Sequence, residues 1–221
     1  MNILALADIH GDISRFEEVY DHSGGADLVL LTGDVTHFGG GREAARIVAA
    51  IRRRQERILA VPGNCDTPAV DACFREQGIS LHGRGLVIEG LGFAGVGKSL
   101  PCPGATPNEA PESELAECLE YAVAQLPPHV PWILLSHQPP SDTLNDQVGS
   151  GQHVGSPAIR GLIERRQPLV CFTGHIHEGV GIDTIGRTKV VNPGPLRTGR
   201  YAHARIGTEV ELLEIRSLRE G

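Results

Sequence analysis

Apolar residues fall along this chain in short unbroken runs: Ile3–Ala7, Leu28–Thr32, Ile58–Val61, Trp132–Leu135 and Leu169–Thr173. Runs of four or five apolar residues, bounded by turn residues, predict strands buried on both faces. Between the first three, the spacing changes to that of a helix. Ile13, Phe16, Val19 and Tyr20 share one helical face, with Asp12 placed to cap it, and Ala44, Ile47, Val48 and Ile51 share another after Gly39-Gly40-Gly41. This alternation predicts parallel β-α-β units.

The middle and the tail read differently. Gly85–Glu89 and Leu91–Val96 flank Glu89-Gly90 as an antiparallel hairpin. Residues 98–111 hold four prolines and predict a surface loop. Glu112–Gln125 has helical spacing, and Ser156-Pro157 opens a further helix with a cap and a proline at its first position. Two more hairpins are expected, Gly181–Ile185 with Thr188–Val191 and Tyr201–Ile206 with Glu209–Ile215. Parallel units mixed with hairpins predict a mixed α/β fold with a two-sheet core flanked by helices. No linker divides the 221 residues, so residues 1–221 are expected to form one domain.

Composition narrows the function. Hydrophobic residues make up 40% and charged residues 21%, as in ordinary soluble domains. A formal charge of −7 and a single basic cluster, Arg52-Arg53-Arg54 with Arg57 at a helix end, argue against polymeric nucleic acid as a partner. Five widely spaced cysteines without a C-x-x-C fit a reducing compartment, so a cytoplasmic location is expected. No leader or membrane span is expected either, because the N-terminus runs straight into a strand. Oligomeric state is left open, a homo-oligomer being compatible with the sequence.

The chemistry sits where the apolar runs stop. Asp8 and His10, Asp34, Asn64, His137, and His175 and His177 follow the five runs in turn. In open α/β sheets the carboxyl ends of strands line the crevice that binds ligands. Carboxylate, imidazole and amide oxygen together suit Mn, Fe, Zn, Co or Ni. Seven side chains with one carboxylate shared give eight bonds, four to each of two ions, and Asp34 is the lone carboxylate at a central strand end. Any one of these residues alone is an ordinary turn residue; five consecutive strand ends bearing ligand chemistry are not.

Asp8-x-His10, Gly33-Asp34, Gly63-Asn64-Cys65-Asp66, His137 and Gly174-His175-x-His177 resemble, in order and placement, the motifs of the calcineurin-like metallophosphoesterase superfamily, in particular its small stand-alone prokaryotic members. The similarity extends to Ser150-Gly151-x-His153-Val154-Gly155-Ser156 and Asn192-Pro193-Gly194-Pro195. The resemblance implies a four-layer fold and two metal ions. One would be held by Asp8, His10, Asp34 and His177, the other by Asp34, Asn64, His137 and His175. Asp34, Asn64 and His137 would serve catalysis through that centre, in which a hydroxide between the ions attacks phosphorus in line. The substrate would be a small-molecule phosphate ester.

Many relatives carry His after the metal-binding Asn; here Cys65 stands there. A thiol is a weak acid for a leaving group, which favours phosphodiesters over monoesters. His153, in a glycine-rich loop before a helix N-terminus, and His37, three residues past Asp34, are expected alongside Cys65 as substrate contacts. Asp66 is expected to orient its neighbours, and Asn192 to line the crevice. The competing reading is a protein-binding scaffold on the same fold, which should have lost ligands. An amidohydrolase-type metal enzyme should instead show eight strand–helix units.

Overall fold

The computed structural model describes residues 1–218, so the last three residues of the expected 1–221 domain lie outside it. Eleven strands form two mixed sheets with five α-helices packed outside them. The first sheet takes its parallel centre from β1 (Asn2–Leu6), β2 (Leu28–Thr32) and β3 (Ile58–Val61). The last hairpin, β10 (Arg200–Ile206) and β11 (Val210–Ser217), adds to the free side of β1, giving the order β11-β10-β1-β2-β3.

The second sheet runs β4-β5-β6-β7-β9-β8. Its parallel centre is β5 (Leu91–Val96), β6 (Trp132–Ser136), β7 (Val170–Phe172) and β9 (Thr188–Asn192). Antiparallel β4 (Arg84–Ile88) and β8 (Gly181–Ile185) close its two edges.

The period-2 geometry of a strand explains why these runs are apolar throughout. Ile3, Ala5, Leu28, Leu30, Leu59 and Val61 point between the sheets, onto Phe93, Ile133, Leu135 and Phe172. Leu4, Leu6, Val29 and Leu31 point the other way, onto α1 (Phe16–Ser23), α2 (Gly41–Arg52) and α3 (Pro68–Glu76). Ala94, Val96, Trp132 and Leu134 meet α4 (Glu112–Ala124) and α5 (Pro157–Arg166) on the outer side of the second sheet. The result is four layers with three apolar seams, and each leucine in them stabilises the fold by about 2 kcal/mol through burial.

Three expectations need correction. Asp12 does not cap the first helix: its Oδ1 accepts a hydrogen bond from the Ser14 backbone in a local turn, and the helix starts only at Phe16. The helix α3 adds to the expected elements; Thr67-Pro68 is its start signal, and Val70, Cys73 and Phe74 follow at helical spacing, all buried. The proline-rich segment 98–111 is more than a surface loop, because Thr106 and Asn108 reach Asn64 and Gly63 at the end of β3, as described below. The basic cluster behaves as expected. Arg53 and Arg54 end α2 against Glu17, with Asp21 also on Arg54.

Candidate metal centre

The strands β1, β2, β3, β6 and β7 come from different sheets but end at one edge of the sandwich. There the chain leaves regular structure in an unusual way. Asp8 (φ 50°), His10 (φ 48°), Asp34 (φ 49°) and His175 (φ 68°) all adopt the left-handed backbone conformation. Asp and His tolerate it better than most residues, but four in one cluster is stored strain held by its surroundings. The strain aims four side chains inward.

Two glycines make the convergence possible. A Cβ on Gly33 would lie 2.2 Å from His137 Nδ1, and one on Gly63 would lie 2.1 Å from Asp34 Oδ1. The Gly-Asp and Gly-Asn pairs are therefore steric requirements: each glycine makes room for a ligand side chain from another strand.

The donor set divides into two halves around Asp34. On one side His137 Nδ1 donates to the Thr32 carbonyl (2.8 Å), which orients the ring with Nε2 turned into the cluster. That nitrogen faces Asn64 Oδ1 at 2.9 Å and Asp34 Oδ1 at 3.5 Å. The Thr106 hydroxyl gives its proton to Glu109 Oε1 (2.7 Å) and so accepts from Asn64 Nδ2 (3.1 Å), which keeps the Asn64 amide oxygen inward. One ring nitrogen and two side-chain oxygens thus converge on one point. His175 packs beside them, its ring centroid 5.1 Å from that of His137.

On the other side His10 Nε2 and His177 Nε2 approach to 3.2 Å. Asp34 Oδ2 lies 3.8 Å from His10 Nε2, and Asp8 Oδ1 lies 3.8 Å from His177 Nε2. Asp8 Oδ2 is buried with no hydrogen-bond partner. An orphaned buried carboxylate oxygen and converging basic atoms fit a bound cation. Asp34 presents one oxygen to each half.

Electrostatics follow this crowding. Burial is the main influence on His10 and His175 and holds them down, to about 4 and about 3. Burial also raises the carboxyl of Asp34. For Asp8 burial pushes upward, but the nearby His177 imidazole and the charges of His137, His177 and His10 together outweigh it and leave the group lowered. His177 is raised, chiefly by the Asp8 carboxylate 3.8 Å away.

Supporting residues are as informative. Asp66 is fully buried and accepts from the backbones of Val35 (3.1 Å), Thr36 (2.7 Å) and Gly63 (2.8 Å) and from the Thr36 hydroxyl (2.8 Å). It ties the Asp34 loop to the Asn64 loop. Burial, then the Asp34 charge, raise its carboxyl to about 6. Asn192 is fully buried and braces the His175–His177 loop, donating to the Ile176 carbonyl (2.8 Å).

Cys65 is buried with its thiol pushed up, first by burial and then by Asp34, and its backbone N–H donates to Asp34 Oδ1 (2.8 Å). Cys65, His10 and His37 form a third group whose ligand atoms lie within 4.8 Å of one another. His37 also packs edge-on to His10 at 5.4 Å.

His153 lies elsewhere. Its Nδ1 pairs with Asp146 Oδ1 at 2.7 Å, and no hydrogen bond, ion pair or ring contact links it to these groups among the described residues. The helix N-terminus behind it, expected to attract an anion, already has one: Glu112 Oε1 accepts from the Ala158 backbone (2.6 Å), while Ser156 Oγ caps Ile159.

Sequence reading missed Thr106 and Arg197. Thr106 comes from the proline-rich segment, which also anchors to the Gly63 carbonyl through Asn108 Nδ2 (3.0 Å). Arg197 lies in a short 3-10 turn, Leu196–Thr198, and lines a crevice of about 470 Å³ with Ile9, His10, Asp12, His37 and His177. Neither position carries a sequence signal, since each is brought in by a distant loop.

The chain belongs to the calcineurin-like phosphoesterase family, whose model matches residues 1–179. The family is metal-dependent, and the converging donors of this chain suit that chemistry. Among relatives, an uncharacterized protein of Methanocaldococcus jannaschii is 38% identical over 199 residues, 88% of each chain. A UPF0046 protein of Caenorhabditis elegans is 29% identical over 81% of this chain and 66% of its own. Among solved structures, TT1561 of Thermus thermophilus superposes with a TM-score of 0.75 at 21% identity, covering 98% of both chains. A Danio rerio protein described as a dimetal phosphatase gives 0.65 at 13% identity over 98% and 96%. These structures share the fold.

Proposed function

We propose that this protein is a two-metal phosphodiesterase acting on small phosphate esters. The observation that carries the reading is the convergence of His137 Nε2, Asn64 Oδ1 and Asp34 Oδ1, mirrored across Asp34 by His10, His177 and Asp8, whose Oδ2 is buried without a hydrogen-bond partner. Asp34 is the shared ligand. Asp8, His10 and His177 complete one position, and Asn64, His137 and His175 the other. The N/O donor set suits Mn, Fe, Zn, Co or Ni. When bound, the metals supply Lewis acidity that polarises phosphoryl oxygens and makes water acidic enough to serve as a nucleophile.

The protein's own share is positional. Thr106 keeps the Asn64 amide oxygen inward, and Thr32 fixes the His137 tautomer, so both face the reacting phosphate without reorganising. The Cys65 N–H holds Asp34 in orientation. With its thiol pushed up and neutral, Cys65 donates a proton poorly. Leaving groups that depart unprotonated, such as aryl alcohols, are therefore favoured, and so are diesters, which carry less charge to neutralise.

The test is metal content by mass spectrometry after loading with Mn²⁺, together with turnover of an aryl phosphodiester and its monoester. The expected result is two ions per chain and a rate on the diester about tenfold above the monoester. Fewer than one ion per chain sinks the enzyme reading in favour of a scaffold; a monoester preference sinks the diester assignment.

A further inference from the structure

Two features, one lining the crevice and one packed against its lining residue His37, are not required by metal binding. The first is Arg197. Its charge reaches His177, it lines the crevice beside His10 and His37, and its guanidinium makes no hydrogen bond or ion pair among the described residues. Asp12, which also lines the crevice, is engaged with the Ser14 backbone (3.0 Å).

The arm that carries Arg197 is rigid. Leu196 is fully buried and its N–H donates to the Ala7 carbonyl (3.1 Å), Thr198 Oγ1 donates to the Pro195 carbonyl (2.7 Å), and Gly199 ends the turn in a left-handed conformation (φ 76°). A guanidinium on a fixed base, with five free donors and no carboxylate partner, is suited to phosphate oxygens.

The second feature is Phe38. Its ring is 53% exposed although the residue holds φ +59°, a conformation that a bulky side chain takes only under constraint. The constraint is visible: Phe38 N–H donates to the Cys65 carbonyl (2.9 Å), one residue from Asn64. The ring lies tilted against His37 with centroids 4.6 Å apart. Burial does not explain an aromatic side chain kept strained and exposed beside a crevice-lining histidine. A flat ligand group placed against it does.

We infer that Arg197 and the His37–Phe38 pair together recognise an aromatic phosphate ester, Arg197 binding a phosphate oxygen and the Phe38 ring stacking on the aryl or heteroaryl group attached through the ester. This rests on the phosphoesterase reading above and narrows its substrate class.

Non-hydrolysable phosphonates test it without turnover. Calorimetry on the Mn²⁺-loaded full chain compares phenylphosphonate with methylphosphonate, which differ only in the ring. Wild type is expected to bind the phenyl compound about tenfold more tightly. Arg197→Ala should weaken both ligands about tenfold and keep their ratio, with Arg197→Lys recovering part of the loss. Phe38→Asn, which accepts the left-handed backbone, should bring the ratio close to one and leave methylphosphonate unchanged.

Metal content is read for every variant and should equal wild type. The proposal is overturned by a wild-type ratio under about threefold, by Arg197→Ala binding within about twofold of wild type, by a ratio that survives Phe38→Asn, or by loss of metal in both Arg197 variants. These outcomes are separate from the failure of the parent reading, which would be a wild-type protein that turns over no phosphate ester.

Discussion

Two histidine-bearing regions of this molecule invite the same first reading and have opposite structures. At the strand ends, Asp8, Asp34, Asn64, His10, His137 and His177 crowd basic atoms together, leave Asp8 Oδ2 without a partner, and twist the backbone into left-handed conformations. In the loop after β6, His153 has a glycine-rich setting and a helix behind it, yet the His153 imidazole, its Asp146 partner and that helix N-terminus are each matched within the protein. Asp146 accepts from His153 and from the backbones of Thr143 and Gly155, and Glu112 fills the helix N-terminus. A polar group that has found its partner inside the protein has no free energy left for a ligand. Dissatisfaction, more than residue type, separates a site from a structural joint.

The comparison breaks first at Asp34. Asp34→Asn should lower phosphodiester turnover roughly a thousandfold and empty the centre of metal, while the metal-free variant melts no lower than metal-free wild type, because a strained, buried carboxylate has been neutralised. Metal analysis, kinetics and thermal melts check this together; normal metal occupancy in the variant would show that Asp34 is not shared. Next in size is Asp66, the satisfied carboxylate among unsatisfied ones. Asp66→Ala strips four donors of their acceptor and should destabilise the protein by about 3 kcal/mol in urea titrations, whether metal is present or absent. A loss seen only with metal would make it part of the centre.

A smaller effect of opposite sign is expected at Phe38. Phe38→Gly releases a left-handed aromatic residue and should stabilise the fold by about 1 kcal/mol, read from the same titrations. The smallest belongs to His153. Its imidazole is raised by the hydrogen bond to Asp146, so the pair stabilises the fold fully below the ordinary histidine value of 6.5, and the contribution is lost as pH rises through the raised value. Asp146 is net lowered, the hydrogen bonds from His153 and the backbone outweighing burial. Its contribution is therefore present above 3.8 and lost as pH falls through the lowered value. His153→Ala should thus differ from wild type most between about pH 4 and 6, converge with it at alkaline pH, and keep wild-type metal content. A variant short of metal would return His153 to the site.

Much of this was legible from the chain alone, for a physical reason. Strands buried on both faces must be apolar at every position, so Leu28–Thr32 announces itself, and the polar residue that ends such a run stands out. Short helices are less clear: α3 hides behind the turn signals of Gly63–Thr67, and Asp12 has two local uses of which the sequence does not choose one. What no local pattern carries is the closing of distant loops. Thr106 meets Asn64 across 42 residues, and Arg197 arrives on a turn fixed to Ala7.

That last junction has a bearing on how the molecule is made. Strand β1 delivers Asp8, but its outer edge is covered by β10, and the segment Pro195–Leu196 is bonded to Ala7. On the ribosome Asp8 and His10 emerge before the strands that separate them from β10, so their edge is sealed only after those strands are made. For the proposed centre, metal capture would then come late: before β10 pairs with β1, the ligands are scattered carboxylates and imidazoles of ordinary affinity.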